Sequence, residues 1–185
     1  MTAVLDIPPV ARRPDLGEPF ESVDAAPPTH VEVLACGAPD RGDDGAAVIA
    51  VGRLVDALPP DVRTRIVGQL DIDDLLAVPK GAGVVVADTA LGVDPGWIVE
   101  IPFSGLAGRE AGIRPRSSHA LSIPETIAVA SIIRGHPLPG MVVAIGGIDF
   151  GLGEALSWPV SSAMDAFVLA IADAVGRVRT MALAT

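Results

Sequence analysis

The feature that most constrains the fold is a short segment that is apolar on both of its faces. Residues 83–88 (GVVVAD) place four apolar side chains in succession and then end on the carboxylate of Asp88. Successive side chains of a strand point to opposite faces, so this run must be covered on both sides. Strands of this kind lie inside parallel sheets that carry helices on both faces. We therefore predict a strand that is buried on both faces, inside an α/β fold.

The remaining apolar segments alternate between strand-like runs and stretches with helical spacing, in the order β-α-β-α-β-β-α-β-α. This order predicts a three-layer α/β sandwich, with one twisted, mostly parallel sheet of about five strands flanked by helices. The predicted strands are residues 31–36, 62–67, 83–88, 97–103 and 141–145. The predicted helices are residues 44–58, 71–76 and 121–133, with a last helix from an N-cap at Ser157 to about residue 178.

Residues 1–30 differ from the rest of the chain because six prolines interrupt any apolar period. We predict that they form a disordered or loosely attached leader, and that residues 31–180 form a single domain. The 185 residues are 50% hydrophobic but only 3% aromatic, with no Tyr, so the core must be built from Val, Ile, Leu and Ala.

Charge and cysteine content exclude several classes of function. The net charge of −10 argues against nucleic acids and anionic membrane surfaces as partners. The lone Cys36 cannot form an intrachain disulfide. The sequence has no uncharged apolar stretch long enough to predict a membrane span, and no basic-then-apolar start that would predict a signal peptide. We expect a cytoplasmic protein.

An acidic turn follows the first predicted strand. Residues 34–45 (LACGAPDRGDDG) join that strand to a helix and contain Asp43 and Asp44 side by side. Carboxylates at this position either cap the helix and stabilise its first turn, or they bind a metal or act as catalytic acids. Both roles are compatible if Asp43 caps the helix and Asp44 projects outward. Asp40 is expected to be a solvent-facing turn residue.

Two later residues follow other predicted strands and loops. Asp88 ends an apolar strand, where a carboxylate loses its hydration unless it is paired or bound. It either hydrogen-bonds the next turn or takes part in the function. His119 follows a long loop, residues 104–118, and opens a helix; a single histidine there is either structural or a ligand. Ligands of α/β folds bind at the carboxyl ends of strands, which is where the acidic turn, Asp88 and His119 are predicted to lie.

Several common catalytic motifs are absent from the sequence. The acidic turn has neither Gly-x-Gly-x-x-Gly spacing nor a Gly-Lys-Ser/Thr ending, and its acids would repel phosphate. No His-Glu-x-x-His, Gly-x-Ser-x-Gly or paired-Cys motif occurs. The sequence therefore does not indicate a nucleotide-binding protein, a zincin or a serine hydrolase.

Taken together, three motifs resemble those of the hydrogenase maturation proteases. The first is residues 35–45 (ACGAPDRGDDG), at the position of that family's strand, glycine turn and Asp-Asp/Glu-Gly. The second is residues 84–90 (VVVADTA), and the third is residues 118–122 (SHALS). The closing segment, residues 153–157 (GEALS), is similar as well, so the resemblance covers about residues 31–178. It implies an endopeptidase that removes the C-terminal extension of a nickel-loaded [NiFe] hydrogenase large-subunit precursor.

The resemblance also implies a site. Asp44, Asp88 and His119 would bind nickel that is presented by the substrate, and Asp44 and Asp88 would be catalytic. Two carboxylates and an imidazole suit a divalent first-row metal. Hydrolysis could use a carboxylate as general base or a metal-polarised water, and the sequence leaves this open. The partner would be the precursor, and the protein itself would be a monomer.

Two other functions remain open from the sequence. One is a non-cleaving, nickel-dependent assembly or checkpoint protein for the hydrogenase large subunit. The other is a small α/β metal-binding hydrolase that acts on an unrelated peptide.

Overall fold

The computed structural model describes residues 30–106, 121–153 and 155–183, and within them the predicted order of elements is confirmed. The elements are β1 (Val31–Cys36), α1 (Ala46–Leu54), β2 (Val62–Gly68), α2 (Ile72–Leu76), β3 (Gly83–Ala90), β4 (Ile98–Pro102), α3 (Ile123–Arg134), β5 (Gly140–Gly146) and α4 (Trp158–Leu183). Short 3-10 turns occupy Gly42–Gly45, Val55–Ala57 and Phe103–Gly105.

The five strands form one sheet in the order β2-β1-β3-β5-β4. Strands β2, β1, β3 and β5 are parallel, and β4 pairs antiparallel with β5 at the edge. The apolar strand β3 is the central one, and it is buried on both faces, as its apolar pattern predicts. The predicted fold class, a mostly parallel five-stranded sheet in an α/β sandwich, is confirmed.

Both faces of the sheet are covered by helices. Side chains such as Val33 and Val85 point to the face that is covered by α1 and α4. Their chain neighbours Leu34 and Val86 point to the opposite face, which is covered by α2 and α3. The strictly aliphatic strands are therefore buried on both sides, and the carboxyl ends of β1, β3 and β5 are left at one edge, in the loops.

The helix boundaries differ from the sequence prediction at several ends. The helix predicted over residues 44–58 is α-helical only from Ala46 to Leu54, with a 3-10 turn on each side. Helix α3 begins later than predicted, because Ser122 and Glu125 form a capping box that fixes the first helical residue as Ile123. Helix α4 continues beyond the predicted end at residue 178, because its buried face extends to Val178 and Ala182.

Helix α4 is also long and apolar enough to cross a bilayer by length and composition, with a mean hydropathy of 1.3 over its most apolar window. The sequence prediction found no such stretch. In the structure one side of α4, including Phe167 and Ile171, is buried against the sheet. The apolar character of this helix is thus used at least in part to build the core.

The predicted leader lies outside the described residues except for His30, and so does most of the predicted long loop after β4. The proposed domain boundary near residue 30 stays a prediction.

Candidate active site at the carboxyl end of the sheet

The acidic turn is closed by a glycine and by a hydrogen bond to Asp44. Gly37 has φ +105°, and a Cβ at this position would collide with the backbone carbonyl oxygen of Asp44. The next residue, Ala38, donates its backbone N–H to Asp44 Oδ2 at 2.9 Å. The half-buried side chain of Asp44 is thereby held in one orientation by the turn that carries it.

Asp88 lies at the carboxyl end of the central strand, one strand away from the acidic turn. Its side chain is half-buried, and Oδ1 accepts a hydrogen bond from the backbone N–H of Thr89 at 2.8 Å. Burial raises the pKa of Asp88 to about 7; the Thr89 hydrogen bond opposes this rise, and the negative charge of Asp44 adds to it. The structure thus brings Asp44 and Asp88 close enough to interact electrostatically.

Each of these two carboxylates has one oxygen that accepts no hydrogen bond from the described part of the chain. Among the described residues, no hydrogen bond reaches Asp44 Oδ1 or Asp88 Oδ2. A carboxylate oxygen of this kind can accept a proton, a water molecule or a cation. The pair therefore has the acceptors that either hydrolysis or metal binding requires.

Asp43 is fully buried and has a different role from the one predicted. Its Oδ1 accepts the backbone N–H of Ser157 at 2.7 Å. Its Oδ2 accepts the backbone N–H groups of Ile148 and Asp149, at 2.9 and 3.0 Å, and the hydroxyl of Ser157 at 2.9 Å. The prediction that Asp43 caps its own helix is wrong, because this carboxylate binds the loop after β5 and the residue before α4.

The hydrogen bonds of Asp43 determine its charge state. Burial alone would raise the pKa of Asp43, but the bonds from Asp149, Ile148 and Ser157 outweigh it and lower the pKa below its usual value. The backbone of Asp43 is held as well: its carbonyl accepts the Thr89 hydroxyl at 2.8 Å. Asp43 therefore links the turn that bears Asp44 to the strand end that bears Asp88.

Cys36, the last residue of β1, is buried beside the same acids. Burial raises the pKa of its thiol well above the usual value, and the charges of Asp88, Asp74 and Asp44 raise it further. A thiol in this environment stays protonated at neutral pH. Cys36 is consequently unsuited to act as a thiolate nucleophile.

The third predicted ligand, His119, lies outside the described residues, so the proposed triad stays a prediction. The part of the chain that the structure describes contains no group of three or more His, Cys, Asp or Glu side chains that could hold a metal ion. It does contain two of the three predicted donors, and their unused carboxylate oxygens are the hard donors that a divalent cation accepts.

Sequence reasoning did not assign a role to Thr89, and it assigned Ser157 only to capping. Thr89 joins Asp43 across 46 positions of the chain and Ser157 joins it across 114. The one available signal was local: Thr89 directly follows Asp88, and Ser157 directly precedes a helix. Contacts this distant in sequence depend on how β1, β3 and β5 are ordered in the sheet.

Comparison with known proteins identifies the fold of this chain. No protein-family model matches the chain, and no curated protein matches it in sequence. Solved structures match it with high probability, and those named below are hydrogenase maturation proteases. The chain therefore has the fold that the sequence resemblance implies.

Three of these structures give the extent of the likeness. The [NiFe] hydrogenase maturation protease HybD from Thermococcus kodakarensis aligns with a TM-score of 0.62 and 24% identity, over 79% of this chain and 99% of that one. The hydrogenase maturating endopeptidase HybD from E. coli has a TM-score of 0.65 and 16% identity, over 80% and 93%. The maturation protease HycI from Thermococcus kodakarensis KOD1 has a TM-score of 0.59 and 20% identity, over 80% and 93%. At these identities the likeness establishes the fold.

Proposed function

We propose that this protein is an endopeptidase that removes the C-terminal extension of a nickel-loaded [NiFe] hydrogenase large-subunit precursor. The observation that carries the proposal is the pair Asp44 and Asp88 at the carboxyl end of the sheet, in a fold shared with hydrogenase maturation proteases. The three sequence motifs that resemble the family supply both members of this pair.

The altered pKa of Asp88 supports a role in proton transfer. General bases work best when their pKa lies near the operating pH, and the pKa of Asp88 is raised to about 7. In this route Asp88 Oδ2 takes a proton from water as the water oxygen attacks the scissile carbonyl carbon. The proton then passes to the leaving amine as the carbon–nitrogen bond breaks. The negative charge of Asp44 raises the pKa of Asp88 and thereby favours the protonated form of that carboxyl during the reaction.

A second route to hydrolysis stays open within the same proposal. Nickel presented by the substrate would polarise the attacking water or the scissile carbonyl, with Asp44, Asp88 and His119 as its protein ligands. In this route the carboxylates would position the scissile peptide bond through the nickel ion, and they would not accept the proton of the attacking water. The role of His119 in this route is proposed from the sequence resemblance.

The direct test is cleavage of the nickel-loaded precursor, followed by mass spectrometry for loss of the C-terminal extension. We expect cleavage by the wild-type protein and its loss in Asp44→Ala, Asp88→Ala and His119→Ala. Asp165→Ala is a matched control, because it removes an exposed carboxylate on α4, on a helix that contributes no carboxylate to the pair. Cleavage that persists in Asp88→Ala and His119→Ala would overturn the site assignment.

The same experiment separates the proposal from a checkpoint role. A checkpoint protein would bind the precursor in a nickel-dependent way and leave its mass unchanged. The structure offers a reason to favour cleavage: the acidic turn has at Gly37 the glycine that its backbone requires, and the backbone N–H of Ala38 orients Asp44. The side chain at position 38 is not needed for that hydrogen bond.

A further inference from the structure

Both tryptophans of this chain are exposed, although aromatic residues are scarce in it. The sequence has two Trp and four Phe and no Tyr. Trp97 is 67% exposed and Trp158 is 81% exposed. Large exposed aromatic side chains mark contact surfaces, because Trp contributes strongly to binding energy at protein interfaces.

The two tryptophans lie on segments that pack against each other. Gly96, the residue before Trp97, approaches α4 so closely that a Cβ would lie 2.7 Å from the carbonyl oxygen of Pro159, the residue after Trp158. Gly96 also donates its N–H to the carbonyl of Gly146, and Gly146 donates its own N–H to the carbonyl of Trp97, both at 2.8 Å. The end of β5, the start of β4 and the start of α4 therefore meet at one place.

The loop after β5 adds two more exposed apolar side chains to this place. Ile148 is 64% exposed and Leu152 is 88% exposed. We call Trp97, Ile148, Leu152 and Trp158 together the tryptophan rim. Four large apolar residues on adjoining segments are more than the scattered exposure that a protein surface normally shows.

The rim is fixed to the candidate active site through Asp43. The carboxylate of Asp43 accepts the N–H of Ile148 and the N–H of Ser157, the neighbour of Trp158. The next residue in the chain, Asp44, is a member of the proposed catalytic pair. The rim thus borders the catalytic carboxylates, and its backbone is held in place before any partner arrives, which lowers the entropic cost of binding.

Charge around the rim decides between possible occupants. Asp40, Asp94 and Asp149 are exposed on the described loops beside it, against the single guanidinium of Arg41. A second copy of this chain would bring like charges together, and an anionic membrane would be repelled. A protein surface with an apolar centre and basic residues around it is complementary to the rim.

We infer that the tryptophan rim is the docking surface for the folded body of the precursor, separate from the carboxylates that act on its tail. This inference rests on the proposed function, and it adds where the substrate protein is held. The occupant is a protein surface that buries Trp97 and Trp158 and places Lys or Arg side chains opposite Asp40, Asp94 and Asp149.

The two tryptophans allow a direct test, because protein labelled with fluorotryptophan gives one fluorine NMR signal for each of them. The signals are assigned with Trp97→Phe and Trp158→Phe. We expect both signals to shift and broaden when nickel-loaded precursor is added. We expect no shift when the protein alone is concentrated, or when vesicles of phosphatidylglycerol are added.

Cleavage kinetics provide a second test of the docking surface. The double variant Trp97→Ala/Trp158→Ala should raise KM for the precursor about tenfold or more, with kcat changed by less than about twofold. The control is Ile132→Ala, which removes a side chain that is 79% exposed on α3, on the opposite face of the sheet. Its KM should stay within about twofold of the wild-type value.

Failure of this inference can be distinguished from failure of the proposed function. If wild-type protein cleaves the precursor while both fluorine signals stay unchanged in the complex, the rim is not the docking surface and the proposed function stands. An unchanged KM in the double variant overturns the inference in the same way. Signals that shift on self-concentration or with vesicles would assign the rim to another occupant. If wild-type protein neither binds nor cleaves the precursor, both proposals fail.

Discussion

Asp43 lies in the turn after β1 and Asp88 lies near the end of the neighbouring parallel strand β3, and the pKa values of these two carboxylates are shifted in opposite directions. Asp43 is fully buried and accepts four hydrogen bonds, which lower its pKa despite the burial. Asp88 is only half-buried and accepts one, from Thr89, and its pKa is raised to about 7. Four hydrogen bonds outweigh the burial of Asp43, whereas the single hydrogen bond from Thr89 does not outweigh the burial of Asp88.

The comparison separates a structural carboxylate from one that is prepared for chemistry. A carboxylate whose oxygens are all bonded to backbone N–H groups and a hydroxyl stabilises the fold and has no capacity left for substrate. A carboxylate with an unused oxygen and a pKa near neutrality can exchange a proton. The two lie close together because the Thr89 hydroxyl, next to Asp88, donates to the carbonyl of Asp43.

The largest expected effect is a loss of stability when Asp43, the structural carboxylate, is replaced. Asp43→Ala leaves three backbone N–H groups and the Ser157 hydroxyl without their acceptor, and we expect it to lower the free energy of unfolding by about 3–5 kcal/mol. Denaturant unfolding measures this loss. Asp43→Asn, which keeps the shape but loses the charge, should lose about half as much. A loss below about 1 kcal/mol for Asp43→Ala would contradict its structural role.

Replacing Asp88, the carboxylate proposed to act in catalysis, should have the opposite effect on stability. Asp88→Asn removes a carboxylate that is poorly hydrated when charged, so we expect the metal-free protein to become more stable by about 1–2 kcal/mol at pH 8. Precursor cleavage should fall about a hundredfold or more in the same variant, because the proposed general base is lost. If Asp88→Asn were more active and less stable than the wild type, Asp88 would be the structural carboxylate and the assignment would be wrong.

The pH dependence of stability should also differ in sign for the two carboxylates. The pKa of Asp43 is lowered on folding, so its contribution is present above its usual pKa and is lost as the pH falls through the folded value. The pKa of Asp88 is raised from 3.8 to about 7, so the folded state holds an extra proton in that window and stability declines as the pH rises through it.

Unfolding of the wild type and both Asn variants in EDTA, from about pH 3 to about pH 8, measures these contributions. The stability difference between Asp88→Asn and wild type should grow with pH up to about pH 7, by about 1–2 kcal/mol. The difference between wild type and Asp43→Asn should shrink in acid. Parallel curves for all three proteins would show that neither pKa shift exists.

The smallest expected effect concerns the hydrogen bond that joins the two regions. Thr89→Val keeps the shape of the side chain and removes the hydroxyl that donates to the Asp43 carbonyl, at a cost of about 1 kcal/mol. Because this bond holds Asp88 relative to Asp44, kcat should fall about three- to tenfold, and Thr89→Ser should restore it. An active Thr89→Val protein with wild-type kcat would show that the two strand ends are positioned independently.

Much of the fold could be predicted from apolar patterns alone. The apolar run of β3 predicted a strand buried on both faces, and its side chains lie in the cores on both sides of the sheet. Helix ends were less predictable, because 3-10 turns such as Gly42–Gly45 and capping boxes such as that of Ser122 shift the boundaries by a few residues. Of the predicted site residues, Asp44 and Asp88 lie close enough to interact electrostatically and His119 lies outside the described residues, so the site stays a prediction.

By itself, the sequence determined which residues lie at strand ends and which are buried, because periodicity and side-chain chemistry are local properties of the chain. Local patterns could not distinguish Asp43 from Asp44, since adjacent identical residues in one turn carry the same signal, and the family resemblance alone named Asp44. Only the tertiary structure gives the physical reason why the two carboxylates differ. The loop after β5 and the residue before α4 supply four donors to Asp43, while among the described residues the carboxylate of Asp44 accepts one hydrogen bond, from Ala38. A carboxylate's role depends on its partners, and here those partners come from the far end of the chain.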